Sequence, residues 1–128
     1  MTDLAALWEE HMRAEFATRN VDDTMATMVP DAYVNHVPTL TGGVGQQALR
    51  DFYARFFIPQ MPPDTETVPI SRTVGASQVV DEMLFCFTHT CEIDWMLPGV
   101  PPTDKRVEVP LIAIVKLDRK STRLNYSH

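Results

Sequence analysis

Four side chains combine a proton-transferring residue type with apolar or aromatic neighbours: His36, His89, Glu15 and Asp94. Imidazoles and carboxylates are the usual general acids and bases, and an apolar surrounding raises a carboxylate's pKa or lowers a histidine's, poising either for work near neutral pH. His36 shares a strand face with Ala32 and Val34, and His89 lies between Phe87 and Cys91 on the apolar face of a long alternating run. Glu15 interrupts the helical stripe Leu4, Trp8, Met12 and Phe16, with His11 at its border. Asp94 precedes Trp95 at the edge of a proline-rich loop, a place for a base beside an aromatic wall. Each has a plainer alternative: a hydrogen-bonded core histidine, the exposed edge of a helix or, for Asp94 with Glu92, a solvated strand face.

Other chemistries find less support. His11, His36 and His89 invite a three-ligand metal reading, but they follow no metal-ligand spacing and no HExxH occurs. GxSxG, P-loop and GxGxxG patterns are absent, and GGVG reads as a helix-opening turn. Neither metal nor cofactor is expected. Cys86 and Cys91 are five residues apart in one strand-like run, an odd spacing that turns their side chains to opposite faces, so two free thiols with packing roles are expected.

The elements that must position these groups belong to one domain, since 128 residues is the usual length of one. With 45% hydrophobic and 22% charged residues the chain can build a core, and its net charge of −6 disfavours nucleic acid and anionic bilayers. No apolar run reaches the roughly 18 residues of a spanning helix, and the acidic start MTDLAALWEEH is unlike a signal peptide, so a cytoplasmic protein is expected.

An i,i+4 ladder predicts a helix over 3–19, a short second helix follows over 22–28, and Pro30 stops it. AYVNHV, residues 32–37, reads as a strand and residues 38–45 as a turn. Gly45 opens a third helix with the stripe Leu49, Phe52, Tyr53, Phe56 and Phe57, ended by Pro59. The second half is β: a strand over 67–74, one long bent or bulged run over 78–95, and a strand over 106–117 whose centre, 110–115, is apolar on both faces. That two-sided centre predicts cover by helices and by a second subunit, hence a homodimer. After Leu117 the chain becomes DRKSTRLNYSH, without helical or strand periodicity. This tail, 118–128, reads as a frayed terminus, or as a non-native addition, because DRKSTRLN resembles translated read-through of a sequencing adapter.

Helices first, then a strand, a helix and long antiparallel strands give an α+β order. With DAYVNHVP, GGVGQQALRDFYARF and the long strands around the proline loop, residues 1–117 resemble the nuclear transport factor two-like superfamily, and within it the SnoaL-like polyketide cyclase and ketosteroid isomerase-like branch. The resemblance implies a cone-shaped curved antiparallel sheet wrapped by three helices, with a pocket at its open end, here without a recognisable final strand. In the isomerases a carboxylate base follows the second helix, and that position falls on His36; in the cyclases the acid/base is an Asp on the final strand. Fold says little about reaction in so diverse a superfamily. The reading carried forward is a cofactor-independent cyclase, isomerase or dehydratase type of enzyme with His36, His89 and Asp94 as catalytic groups. Trp8, Glu15, Tyr33, Phe52, Phe56, Phe85, Phe87 and Trp95 would line a pocket for a small hydrophobic molecule. The alternative is a non-catalytic ligand-binding or dimeric scaffold domain on the same fold.

Overall fold

The computed structural model of the chain describes residues 3–118 and 123–127. Helix α1 spans Leu4–Met12 and starts where the Asp3 carboxylate accepts the Ala6 N–H at 3.1 Å, satisfying one of the unpaired donors of the first turn. The helix then widens into a π-helical turn, Arg13–Ala17, closed by Thr18 N–H on the Arg13 carbonyl. Helix α2, Val21–Ala26, is capped by the Asn20 side chain, and Asp22 and Asp23 in its first turn favour the positive end of the helix dipole. Helix α3, Gln46–Phe52, also runs into a π turn, Tyr53–Phe57. The three helices fall where the apolar periodicity puts them, but α1 and α3 end in the wider winding, a feature frequent at functional sites.

Two sheets complete the α+β cone. Strands β1 (Tyr33–His36) and β2 (Thr41–Val44) form an antiparallel hairpin, whereas residues 38–45 had read as a turn alone. Gly42 explains why a TGGV segment pairs: its φ is +127° and a Cβ there would stand 2.0 Å from the Val34 carbonyl oxygen, so only glycine permits the approach. The larger sheet is antiparallel in the order β3 (Glu66–Val74), β4 (Gln78–Thr88), β5 (Arg106–Asp118) and β6 (Arg123–Ser127). A bulge between Pro69 and Ser71 keeps β3 in register with β4 despite the proline. Strand β6 neighbours β1 in space, linking the two sheets.

Two expectations are corrected. The run over 78–95 is not one strand, because β4 ends at Thr88, whose N–H and hydroxyl both go to the Asp64 carboxylate at 2.9 and 2.6 Å. Residues 89–105 form an irregular loop, tied back by His89 N–H to the Lys105 carbonyl and Asp104 N–H to the His89 carbonyl. The tail contains a strand after all: β6 pairs with β5 from Asp118↔Arg123 to Ile114↔Ser127. The open edge of β5 supplies the hydrogen-bond partners that make so short a segment a strand. The rest of the tail reading, 119–122 and residue 128, lies outside the described residues.

The alternation of β4 sets the core. Val79, Asp81, Met83, Phe85 and Phe87 all point inward and are buried, packing with Trp8, Leu49, Phe52, Tyr53, Phe57 and Trp95. Each large side chain so buried stabilises the fold by about 1.5–3 kcal/mol. On β5 only one face is covered: Ala113 and Val115 are buried, while Ile112 and Ile114 are exposed, as are Val68 and Ile70 on β3. Cys86 and Cys91 are free, and burial pushes both thiols above their ordinary pKa, away from reactivity. Among the described residues no helix is long and apolar enough to cross a membrane.

Candidate functional site

The interior between α1 and the sheet holds a cavity of about 10 Å³ lined by Trp8, Met12, Glu15, Phe16, Phe57, Met83, Phe85, Trp95, Leu111 and Ala113. That is room for a single water. Among the described residues Glu15 is the only ionisable side chain of its wall, and it is only 2% exposed. It sits in the π turn after α1, four residues after His11, and its Oε2 lies 3.2 Å from His11 Nε2.

His11, wholly buried, is fixed on three sides. Its Nδ1 is 2.5 Å from the Thr27 hydroxyl, the Tyr53 hydroxyl lies 3.5 Å from Nε2, and the Trp8 ring stacks on the imidazole with centroids 5.5 Å apart. Trp8 is in turn held by its indole N–H, which donates to Asp81 Oδ2 at 2.9 Å. Asp81 is buried and receives two hydrogen bonds from the Arg72 guanidinium, at 3.1 and 3.0 Å; Arg72 also reaches Glu9 at 2.7 Å. These hydrogen bonds hold Arg72 above the ordinary arginine range, so it is a fixed cation. One connected network, Arg72–Asp81–Trp8–His11–Glu15, therefore runs from the sheet edge to the cavity wall.

A second concavity, a cleft of about 190 Å³, opens on the other side of Trp95 and is lined by Leu40, Thr41, Gly42, Phe52, Phe56, Asp94 and Trp95. Gln60 clamps Asp94 there, donating to its Oδ2 at 2.9 Å and accepting its backbone N–H at 2.8 Å. The Thr39 and Thr41 hydroxyls both donate to the Trp95 carbonyl oxygen and fix the loop that carries the indole.

The residues singled out in the sequence thus divide. Trp8, Glu15, Phe85 and Trp95 meet at the inner cavity; Asp94, Phe52, Phe56 and again Trp95 meet at the outer cleft. His36 is buried with its ring edge-on to Trp95 at 5.1 Å, and desolvation holds its pKa below the ordinary value. His89 faces Thr103, with Nδ1 3.1 Å from the hydroxyl, and among the described residues its buried Nε2 has no hydrogen-bond partner. Phe87 is core, between Phe85 and His89, and Tyr33 pairs with Val44 at the far end of β1. Sequence reasoning placed His11 at the border of the α1 stripe but gave no chemical role to Thr27, Tyr53 or Arg72, which come from three other segments. Asp81 did leave a signal, as a carboxylate on the apolar face of β4. Among the described residues no three His, Cys, Asp or Glu side chains are grouped to hold a metal ion.

With this geometry in hand, comparison with known proteins is informative. Residues 8–121 match the SnoaL-like domain family. A SnoaL-like polyketide cyclase fold from Jannaschia sp. CCS1 superposes with a TM-score of 0.68 at 22% identity, covering 95% of this chain and 84% of that one. One from Shewanella putrefaciens CN-32 gives 0.70 at 17%, covering 96% and 85%. The epoxide hydrolase/cyclase-like enzyme SalBIII of salinomycin pyran-ring formation gives 0.66 at 14%, covering 95% and 88%. At these identities the likeness is one of fold. No curated protein matches the chain.

Proposed function

The chain belongs to the SnoaL-like domain family, and from that premise we propose that it binds a small, neutral, hydrophobic molecule in the inner cavity and performs cofactor-independent proton transfer on it. The observation that carries this reading is Glu15, a buried carboxylate on the wall of an otherwise apolar cavity. Apolar surroundings hold a ring-bearing ligand by burial alone, and a single proton-transfer group fixes where it reacts. A carbonyl compound with an acidic C–H suits such a site, giving isomerisation, cyclisation or dehydration. The reading supports Glu15 as the reacting group. Asp94 and the aromatic residues around it belong to the approach, since Trp95 borders both the cleft and the cavity. His36 acts through Trp95, whose ring it abuts, and His89 steadies the loop through Thr103.

A ligand larger than a water enters by displacing side chains, and unbranched Met12 and Met83 in the wall are suited to that. The tight interior is also what favours the second reading, a non-catalytic scaffold. The exposed row Val68, Ile70, Ile112 and Ile114 suits the expected homodimer in the cytoplasm, sheet face to sheet face; sedimentation at micromolar concentration showing only monomer would remove it. Titration with the neutral fluorophore N-phenyl-1-naphthylamine separates the two functional readings. Saturable binding, weakened when Phe85→Trp fills the cavity and competed by hydrophobic ketones that then exchange C–H protons with deuterated water, is the expected outcome. No binding up to the solubility limit, and no exchange on any ketone, leaves the scaffold.

A further inference from the structure

We infer that His11 and Glu15 form one proton-carrying pair, in which Thr27 selects the histidine tautomer and Glu15 presents the proton to the cavity. The inference rests on the ligand-site reading and extends it to residues that do not line the cavity. Thr27 has a single hydroxyl hydrogen, and it goes to the Thr24 carbonyl oxygen at 2.7 Å. The hydroxyl oxygen therefore faces His11 Nδ1, 2.5 Å away, with a lone pair, and Nδ1 carries a hydrogen. That directs Nε2 at Glu15 Oε2, 3.2 Å away.

One proton then serves both groups, as imidazolium against carboxylate or as neutral imidazole against carboxylic acid. Both forms sum to zero charge, which a pair with side chains 0% and 2% exposed requires. Among the described residues, groups from α1 itself and from neighbouring elements keep the pair in place. Tyr53, after α3, meets the imidazole edge with centroids 6.3 Å apart, and Trp8 stacks on it. Asp81 of β4 reaches Trp8 while tied to the Arg72 cation of β3.

The consequence is a reversible step that consumes no net proton. With a neutral β,γ-unsaturated or β-hydroxy ketone in the cavity, the Glu15 carboxylate takes the proton from the carbon beside the carbonyl. The C–H electron pair becomes the new C=C bond, and the carbonyl π pair moves onto oxygen. The imidazolium left beside the now-protonated Glu15 offsets the enolate charge. In the β,γ-unsaturated ketone the proton returns to the γ carbon, the carbonyl re-forms and the double bond ends in conjugation, an isomerisation; in the β-hydroxy ketone the carbonyl re-forms, the enolate C=C pair becomes the new double bond as the C–O bond breaks, and the departing hydroxyl takes the proton from Glu15 and leaves as water.

Long-range 15N NMR of the histidine rings tests this in the substrate-free protein. The expected spectrum shows His11 Nδ1 protonated and its Nε2 resonance between the protonated and unprotonated ranges. Glu15→Gln is expected to shift Nε2 to the unprotonated range, Thr27→Val to release a mixture of tautomers, and Thr27→Ser to restore the original spectrum. An Nε2–H tautomer with bare Nδ1 in the wild-type protein overturns the inference, as does a spectrum indifferent to Glu15→Gln and Thr27→Val. Titration with N-phenyl-1-naphthylamine distinguishes the two layers of the argument. The NMR signature without probe binding supports the pair and sinks the ligand site; probe binding with the wrong tautomer sinks the pair alone.

Discussion

Asp81 and Glu15 are two buried carboxylates joined through Trp8, and their partners divide the network into an anchor and a reactive end. Asp81 accepts from a guanidinium that keeps its protons and from an indole N–H. That corner holds Trp8 and joins β3 to β4. Glu15 faces the His11 imidazole and an apolar cavity. The same functional group, a buried carboxylate, does different work according to whether a guanidinium or an imidazole faces it.

The largest expected effect falls on the labile end. Glu15→Gln keeps the shape of the side chain and removes its proton exchange, so turnover of any ketone found by probe competition should drop about 10²–10⁴-fold, the usual range for losing a positioned acid/base. Its unfolding midpoint in urea should move little, because removing a buried ion pair without leaving a lone charge is often close to neutral. Full activity in Glu15→Gln breaks the comparison at once. The anchor should behave in the opposite way. Asp81→Ala removes the acceptor shared by Arg72, which keeps Glu9, and the Trp8 indole N–H, and the expected loss is about 3 kcal/mol of stability in urea titration, as for other broken buried pairs. Arg72 is 27% exposed, so water recovers part of its charge and the loss stays at the lower end. A loss of stability with Glu15→Gln larger than with Asp81→Ala would mean that the two roles are reversed.

The sequence makes the two carboxylates visible for the same reason: each breaks an apolar pattern, Glu15 the α1 stripe and Asp81 the alternation of β4. Their partners are not visible, because they arrive by tertiary approach. Thr27 ends α2, Tyr53 looks like one more core aromatic of α3, and Arg72 lies on a strand whose pattern gives no inward direction. The π turns at 13–17 and 53–57 leave no periodic trace in so few residues. Strand β2 is hidden because two glycines fill the centre of TGGV, where strand formers would be expected, and its pairing depends on the bare Gly42 backbone. The end of β4 is hidden too, since the apolar alternation runs on to Trp95 while the Asp64 cap that stops it comes from 24 positions upstream.

A pair of histidines sharpens the same contrast at smaller amplitude. His36 is buried beside the Trp95 ring edge, and its pKa lies below the ordinary 6.5 because burial penalises the charged form. The unfolded chain takes a proton at about 6.5, whereas the folded chain resists until lower pH. Stability is therefore complete above pH 6.5 and declines as pH falls toward the folded value. His36→Gln should flatten that decline in urea midpoints measured from pH 7.5 to 5. An unchanged slope would mean that the burial of His36 does not govern the acid sensitivity of the fold.

The smallest effect concerns a carboxylate with no cavity and no burial. Asp64 is exposed, yet its pKa is held below 3.8, first by the Thr88 hydroxyl and then by the Thr88 N–H, with Arg106 3.5 Å away. The folded form releases its proton more readily than the unfolded chain, so the contribution is present above about pH 3.8 and is lost as pH falls through the folded value. Asp64→Asn should leave the urea midpoint at pH 7 slightly lowered and the midpoint below pH 3.5 nearly equal to that of the wild type, closing the gap between the two curves. Should the gap persist in acid, the cap works through shape, by ending β4 at Thr88 and turning the chain toward Trp95, and its charge is incidental. Asp64 would then be a second anchor like Asp81, built from hydroxyl and amide donors in place of a guanidinium, and Glu15 would stand alone as the carboxylate whose proton matters.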